Sequence, residues 1–378
     1  MHLVDTTLFF SPTSGGVKRY LTAKHEWLAA HTTHRHTIVV PGEHSQFLPG
    51  DITTIAGPRL PGTFNYRLPL SARTWRSTLD ALEPDLIEVG DAFHPAWCAA
   101  AVARRRNIPL IAFFHSDLAH LLGRRFGPGI ESAVARYLRA VYSRFDLVLA
   151  PSRIMCAYLS RIGVSRTALQ PLGVDTEVFS PLRRTLDLRR QLGLPADARL
   201  LVFAGRFSDE KNLDVLRGAM ALLGSPYHLL LVGGGRSAHP TDNITVLPYR
   251  RDGIELAQWL ASADALVHAG TAETFGLVIV EAMACGRPAV GVRAGAVPEL
   301  IDQRVGELAE PDNAASMAAA IRRLYDRDLE TMGIAARARV LQRFTWSNSL
   351  GIQLANYASV LTGNGTVPEF GARAEVGS

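Results

Sequence analysis

The chain has 378 residues, 47% hydrophobic and 20% charged, which is enough apolar material for two cores and excludes a disordered or fibrous protein. Its net charge of +5 and pI near 9.3 suit phosphate-bearing ligands or an anionic surface, or simply an arginine-rich composition. The arginines are scattered over many predicted helices and no recognition motif accompanies them, so nucleic acid is not an expected partner. No apolar run reaches the ~18–20 residues that span a bilayer, and the N-terminus lacks a signal-peptide pattern, so a cytoplasmic location is expected. Cys98, Cys156 and Cys285 stand far apart without C-x-x-C spacing; they read as small buried hydrophobes, not as a disulfide framework or zinc site.

Residues 3–10 form an apolar run ending in Ser11-Pro12-Thr13-Ser14-Gly15-Gly16, and a helix pattern with Val17, Tyr20, Leu21, Trp27 and Leu28 follows. Strands are then predicted at 36–40, 52–56, 85–89, 108–114 and 146–150, and helices at 72–82, 95–106, 129–144 and 152–162. Residues 169–181 are rich in turn formers and read as a linker. The alternation restarts with a helix at 186–192, strand 200–204, helix 213–223, strands 228–232 and 244–247 and helix 254–263. A strand at 265–268, a polar loop with Glu273, a helix with Glu281 and a second strand after Gly286-Arg287-Pro288 come next, then helices at 314–325, 329–343 and 346–361. Continuous apolar strands alternating with helices indicate α/β architecture with doubly wound parallel sheets in two halves. The small, polar tail 363–378 is expected to be unstructured.

Four strings carry chemistry. At 265–292 a strand, a loop and a helix start make an anion site, because the first amides of a helix, expected around Phe275, Gly276 and Leu277, lack intrahelical partners and point along the macrodipole. Glu273 lies at its mouth and Glu281 about two turns on, so the two carboxylates grip different parts of one elongated ligand. At 204–212, Arg206 and Lys211 place two cations at a strand's carboxyl end, suited to a diphosphate, with solvated surface residues as the competing reading. Ser14-Gly15-Gly16 lets backbone amides approach a phosphate, or is a plain tight turn. His115, after the strand at 108–114, can hydrogen-bond a sugar hydroxyl or an oxyanion, the alternative being a structural histidine; His94 is a weaker candidate near an acceptor.

The stretch 232–238, with Gly233, superficially fits a dinucleotide G-x-G-x-x-A pattern, but Pro240 and the missing apolar helix repeat argue against the required helix, and it reads as a loop flanking a nucleotide base. No D-x-D triplet or metal-ligand spacing occurs. The helix at 129–144 has Ile130, Val134, Tyr137, Leu138 and Val141 along one side. Together with Arg104-Arg105-Arg106 and Arg124-Arg125 it gives the first half a basic aspect that suits the face of an anionic membrane, a solvated outer helix being the competing reading.

Glu273, Phe275-Gly276-Leu277, Glu281-Ala282-Met283-Ala284-Cys285-Gly286 and Pro288 together resemble the E-x7-E signature of retaining GT-B glycosyltransferases of family 4, and Gly205-Arg206 through Lys211 resembles the family's G-R-x4-K segment. The resemblance covers nearly the whole chain and implies two Rossmann-like domains facing each other across a cleft. These would be an acceptor-side domain at 1–172, a nucleotide-sugar-binding domain at 173–345 and a helix at 346–362 crossing back to the first. It implies transfer of a hexose from a nucleotide-diphosphate sugar, of GDP-mannose or UDP-glucose type, to a lipid or saccharide acceptor in glycolipid or cell-surface polysaccharide synthesis, with no cofactor or metal. Arg206, Lys211 and the amides near Phe275 to Leu277 would stabilise the departing diphosphate, Glu273 would bind sugar hydroxyls, Glu281 the ribose, and Gly15, Gly16, Gly233 and His115 would complete the donor site. The acceptor would attack on the face the nucleotide leaves, a donor phosphate oxygen taking the proton. Pro288-Ala289-Val290 and Gly295-Ala296 depart from the commoner Pro-Val-Val and Gly-Gly, the second leaving the donor open. Other GT-B enzymes (a UDP-sugar 2-epimerase or a phosphorylase), an NAD-dependent oxidoreductase and a non-catalytic carbohydrate-binding protein are the rival readings.

Overall fold

The protein is described by a computed structural model covering residues 1–10, 15–48, 51–60, 66–69, 71–185, 187–235, 239–248 and 253–363. Ser14, positions 236–238 and the tail from 364 onward lie outside the described residues. The chain divides into two compact units, Met1–Leu172 joined by the last helix, and Gly173–Thr345.

The first unit runs β1 (His2–Thr6), α1 (Gly16–His31), β2 (Arg35–Gly42), β3 (Gln46–Leu48), β4 (Ile52–Ala56), α2 (Ala72–Ala81), β5 (Leu86–Val89), α3 (His94–Arg106), β6 (Leu110–Phe113), α4 (Leu118–Phe126), α5 (Pro128–Tyr142), β7 (Leu147–Ala150), α6 (Arg153–Arg161) and β8 (Thr167–Leu169). The second runs α7 (Leu188–Gln191), β9 (Arg199–Phe207), α8 (Leu213–Leu223), β10 (Tyr227–Gly235), β11 (Ile244–Pro248), α9 (Gly253–Ser262), β12 (Ala265–Val267), α10 (Leu277–Ala284), β13 (Ala289–Val292), α11 (Val297–Leu300), β14 (Gly306–Ala309), α12 (Ala314–Tyr325) and α13 (Leu329–Arg343). Helix α14 (Trp346–Leu361) then returns to the first unit.

The sheets have the orders β3-β4-β2-β1-β5-β6-β7-β8 and β11-β10-β9-β12-β13-β14, and among the described strands only β3 runs antiparallel, against β4. Strands such as Leu147–Ala150 and Ala289–Val292 are buried along their whole length. Parallel strands covered by helices on both faces must be so, which is why their sequences read as unbroken apolar runs. Among the parallel strands of each sheet the order reverses once, between β1 and β5 in the first and between β9 and β12 in the second. At such a switch point the loops leaving the carboxyl ends of neighbouring strands diverge and open a crevice. Both pairs of loops carry residues singled out above.

The first unit encloses a charged cluster that no periodicity predicts. Asp5 on β1 and Glu88 on β5 are register partners. Between them Lys24 Nζ lies 2.8 Å from Asp5 Oδ2 and 3.3 Å from Glu88 Oε1, and His36 Nε2 sits 2.7 Å from Asp5 Oδ2. Tyr20 donates to Glu88 at 2.6 Å, and from α14 Gln353 donates to the other Glu88 oxygen at 2.8 Å while Tyr357 also donates to it. All are buried. Charges this deep persist only when paired and hydrogen-bonded, so α14 is fixed by polar bonds as much as by packing. The turn-rich segment at 169–181 is likewise built in: Gln170 is buried and donates to Ser349 O at 2.8 Å, and Val174 N donates to Phe344 O at 2.8 Å.

Candidate active site

In the second unit the loops after β9 and β12 flank the switch point, and they bring together residues far apart in sequence. After β9 the chain makes one 3₁₀ turn, Asp209–Lys211, and Asn212 adopts a left-handed conformation (φ 49°) before α8 begins. Asn212 Nδ2 donates to Ala269 O at 3.2 Å and Asp312 Oδ1 at 2.8 Å, pinning this turn to the end of β12. Lys211 Nζ thereby reaches the Glu273 carboxylate and donates to Oε1.

His268, directly after β12, sits 2.9 Å from the same oxygen through Nε2. Its buried ring stacks on Phe203 at 5.9 Å, with 8° between planes. Burial alone would raise the pKa of Glu273, but the Lys211 charge, then His268, and the hydrogen bonds from both outweigh it and hold the carboxyl well below the usual range. Glu273 is therefore an anion at any working pH. It can accept hydrogen bonds from hydroxyls and is unsuited to act as a general acid. His268 closes an apolar run and so is unmarked in the sequence; its position at a strand's carboxyl end, five residues before Glu273, is the available signal.

Gly295 (φ 54°) and Ala296 support the loop that carries Glu273. A Cβ on Gly295 would lie 2.6 Å from Glu273 O, and Ala296 N donates to Glu273 O at 2.8 Å. Ala296 itself is αR (φ −79°, ψ −5°), so alanine fits where glycine is commoner.

Helix α10 starts at Leu277, with Gly276 as a left-handed N-cap (φ 94°) and Phe275 buried just before it. Its first amides open beside the Glu273 loop, as an anion site requires. Glu281 is buried on α10. With burial it helps push the neighbouring Cys285 thiol up to about 12, an inert structural cysteine. Arg206 is exposed, its guanidinium 3.9 Å from Glu210 Oε1, so it is available to a ligand at little desolvation cost.

The expected loop at Gly233 is instead the end of β10, where Gly233 pairs in register with Gly205 of β9. A Cβ there would sit 2.0 Å from Gly205 O and 2.5 Å from the Phe207 ring. Close strand packing therefore demands glycine, whatever the ligand. The next described element is the strand β11, so no dinucleotide helix opens among the described residues.

In the first unit Gly15 caps α1 and Gly16 begins it, after the switch-point strand β1. A Cβ on either meets no atom within 4 Å among the described residues, and neither φ is positive. The chain's own sterics do not require these glycines. His115 stacks on Phe113 (4.2 Å, 5°) and lies 5.2 Å from the Tyr20 ring. Burial, only partly opposed by Asp5, pushes its pKa down to about 3, so it is a neutral imidazole with one N–H to donate. His94 is engaged internally, 3.7 Å from Cys98 Sγ and edge-on to Trp75. On α5, Leu138 and Val141 are buried, but Ile130 and Tyr137 of the same predicted stripe are exposed, as is Phe126 on α4. Among the described residues no group of three or more His, Cys, Asp or Glu could hold a metal, and no helix is long and apolar enough to cross a membrane.

The chain matches the family model described as Glycosyltransferase Family 4 over residues 14–178 and that described as Glycosyl transferases group 1 over 198–327. It is 29% identical over 376 residues to the GDP-mannose-dependent alpha-(1-6)-phosphatidylinositol dimannoside mannosyltransferase of Mycobacterium tuberculosis, covering 95% of this chain and 97% of that one. It is 30% identical to a GDP-mannose-dependent alpha-mannosyltransferase of the same species over 78% of each chain. Among solved structures, sucrose-phosphate synthase from Thermosynechococcus elongatus superposes with a TM-score of 0.80 over 96% of this chain and 100% of that one, at 23% identity. HepE of Anabaena superposes at 0.74 over 96% and 100%, at 22% identity. The fold is thus GT-B, with a parallel-sheet α/β unit in each half, and with both halves matched and a relative at 30% identity covered over 78% of its length, the chain belongs to glycosyltransferase family 4 and is a glycosyltransferase.

Proposed function

We propose that this glycosyltransferase moves mannose from GDP-mannose, with retention, to a glycolipid acceptor of the phosphatidylinositol class. The observation that carries the reading is the Lys211–Glu273–His268 group at the switch point of the second sheet, beside the α10 amides. It offers a cation and helix amides for a departing diphosphate and a permanently ionised carboxylate for sugar hydroxyls. The relatives, named for GDP-mannose and, in one case, for phosphatidylinositol dimannoside, support the donor and the acceptor class.

In this proposal Arg206, Lys211 and the amides of Leu277 and its neighbours take up charge as the donor's bond to the nucleotide breaks, preorganised stabilisation of the kind that dominates such barriers. Glu273 orients the sugar, Glu281 holds the ribose, and Gly15 and Gly16 leave room for the backbone to approach the phosphates. Neutral His115 donates a hydrogen bond to a sugar oxygen. Glu273 neither attacks nor protonates; the acceptor's proton goes to a donor phosphate oxygen. No metal or cofactor takes part. Because the acceptor is a lipid, the basic first unit rests on an anionic membrane face, with Phe126 and Ile130 beside Arg124 and Arg125, at the cytoplasmic side.

The test is turnover of GDP-mannose, UDP-glucose and ADP-glucose on phosphatidylinositol mannosides, with thermal shift as a binding readout. A donor at a hundredfold excess over its Kd should stabilise the protein by ~2.7 kcal/mol. Lys211→Ala or Glu273→Ala should abolish transfer in a folded protein. Full turnover in either variant sinks the assignment, and no shift with any nucleotide sugar favours a non-catalytic binding protein.

A further inference from the structure

The first unit holds a cavity of about 600 Å³ whose polar wall is Arg76 on α2, Trp97 and Arg104 on α3, Asn107, Arg144 and Asp146. The rest is alanine and aliphatic side chain. It lies at the amino ends of β6 and β7, whose first residues are Leu110 and Leu147. His115 follows the carboxyl end of β6, so a strand's length, roughly 13 Å at four residues, separates the cavity from the residues of the transfer reaction.

The charges in this cavity are unbalanced. Arg105 and Arg106, next in sequence to Arg104, both pair with Asp80, at 2.8 and 2.5 Å. Among the described residues no ion pair with a carboxylate involves Arg76, Arg104 or Arg144. The one carboxylate in the wall, Asp146, is already committed: it accepts from Leu110 N at 2.9 Å and lies 3.7 Å from Arg166. The carboxyl ends of α3 and α5 add about half a negative charge each, too little to offset three guanidinium groups.

A cation in a helix's last turn is ordinary. Three from three different stretches, converging on one recess without a carboxylate partner, are not. Arg144 is also preset, its guanidinium 4.6 Å from the Trp97 ring centroid, and Trp97 is fixed by its bond to the Tyr137 hydroxyl at 3.1 Å. Planar forked donors held in this way match the oxygens of a phosphate, and the volume fits a small molecule.

We propose that this cavity is a second ligand site, for a phosphomonoester, separate from the site of sugar transfer. Its chemistry is shared by a phosphorylated metabolite and by the phosphorylated headgroup of a lipid.

Calorimetric titration of the full chain with glucose 6-phosphate, in the presence of excess GDP to fill the nucleotide site, tests it. The wild type should show one GDP-insensitive site. Arg104→Gln with Arg144→Gln should weaken it roughly tenfold or more, since two charge-assisted contacts are lost, whereas Arg105→Gln should leave it unchanged. These arginines are exposed, so the variants should keep the wild-type melting curve. In a parallel arm, vesicles containing phosphatidylinositol 4-phosphate are sedimented with the protein. Retention lost in the double variant, without glucose 6-phosphate heat, assigns the same site to a lipid headgroup. Absence of both signals in the wild type, or equal weakening by Arg105→Gln, overturns the proposal.

Discussion

Replacing Lys211 by methionine keeps the aliphatic stem and removes the ammonium, leaving Glu273 with His268. The two side chains of the pair are 19% and 15% exposed. Removing one partner of a buried pair costs about 3–5 kcal/mol and of a surface pair less than ~1, so this intermediate site should lose about 2–3 kcal/mol. The loss depends on pH in a defined sense. Glu273 titrates well below its ordinary value in the wild type, so the pair's contribution is present above the unfolded carboxylate pKa and fades as pH falls through the folded one. The deficit of Lys211→Met should accordingly be full at neutral pH and shrink in acid.

Glu273→Gln removes the stranded charge, and the double variant should recover at least ~1 kcal/mol relative to the sum of the single losses. Lys211→Met also removes a donor aimed at the leaving diphosphate and should lower kcat by ~10²–10³. Urea denaturation of the four proteins of the cycle, with initial rates of mannose transfer, measures both. Additive stabilities together with a kcat for Lys211→Met within a factor of ~3 of wild type would refute the reasoning on both counts.

Gly16→Ala should leave stability unchanged or raise it by up to ~1 kcal/mol, since alanine is the better helix residue and the space is open. Affinity for GDP-mannose, read by thermal shift or calorimetry, should nonetheless fall at least ~10-fold; undiminished binding means the room at Gly16 serves no ligand. Gly295→Ala meets both a positive φ and Glu273 O at 2.6 Å, and a melt should show a loss of about 1–3 kcal/mol accompanied by a higher KM for the donor. Lys24→Met leaves Asp5 and Glu88 side by side without their cation and should cost more than ~3 kcal/mol near neutrality. Burial already raises the pKa of Glu88, Lys24 opposing. With Lys24 gone it should rise further, so the deficit narrows as acid protonates it, and a deficit independent of pH argues against the pairing.

The elements legible in the sequence were those with a strong period and clear caps. The helices at 213–223, 314–325, 329–343 and 346–361 have the bounds their apolar spacing indicates, and Asn313 caps α12 by accepting from Ser316 N at 2.8 Å. The elements missed were short or depended on partners. Strand β3 is three exposed residues held by β4, and β14 is a strand because β13 lies beside it. Helix α4 has no counterpart among the predicted elements: its start depends on Asp117 accepting from His120 N at 3.1 Å and it ends after nine residues at Gly127.

The same division holds at the site. Arg206, Lys211, Glu273 and the start of α10 were readable because their spacing along the chain is their motif. The convergence of Lys211 with His268 on a single Glu273 oxygen comes from the parallel order of β9 and β12, which no local spacing encodes. Gly233 shows the reverse hazard: a glycine that imitates part of a ligand loop is required where two strands approach closely.

The return of α14 to the first unit also bears on how the chain is made. The second unit is contiguous, Gly173–Thr345, so during synthesis all of its strands are available before the ribosome reaches Trp346. The first unit is not. Its eight strands emerge early, but Glu88 and Lys24 lack Gln353 and Tyr357 until the last helix has cleared the exit tunnel. The nascent first domain therefore waits with its charged core only partly satisfied while its successor folds. Premature termination before α14 should yield a chain whose later half is native and whose earlier half is captured by chaperones or degraded.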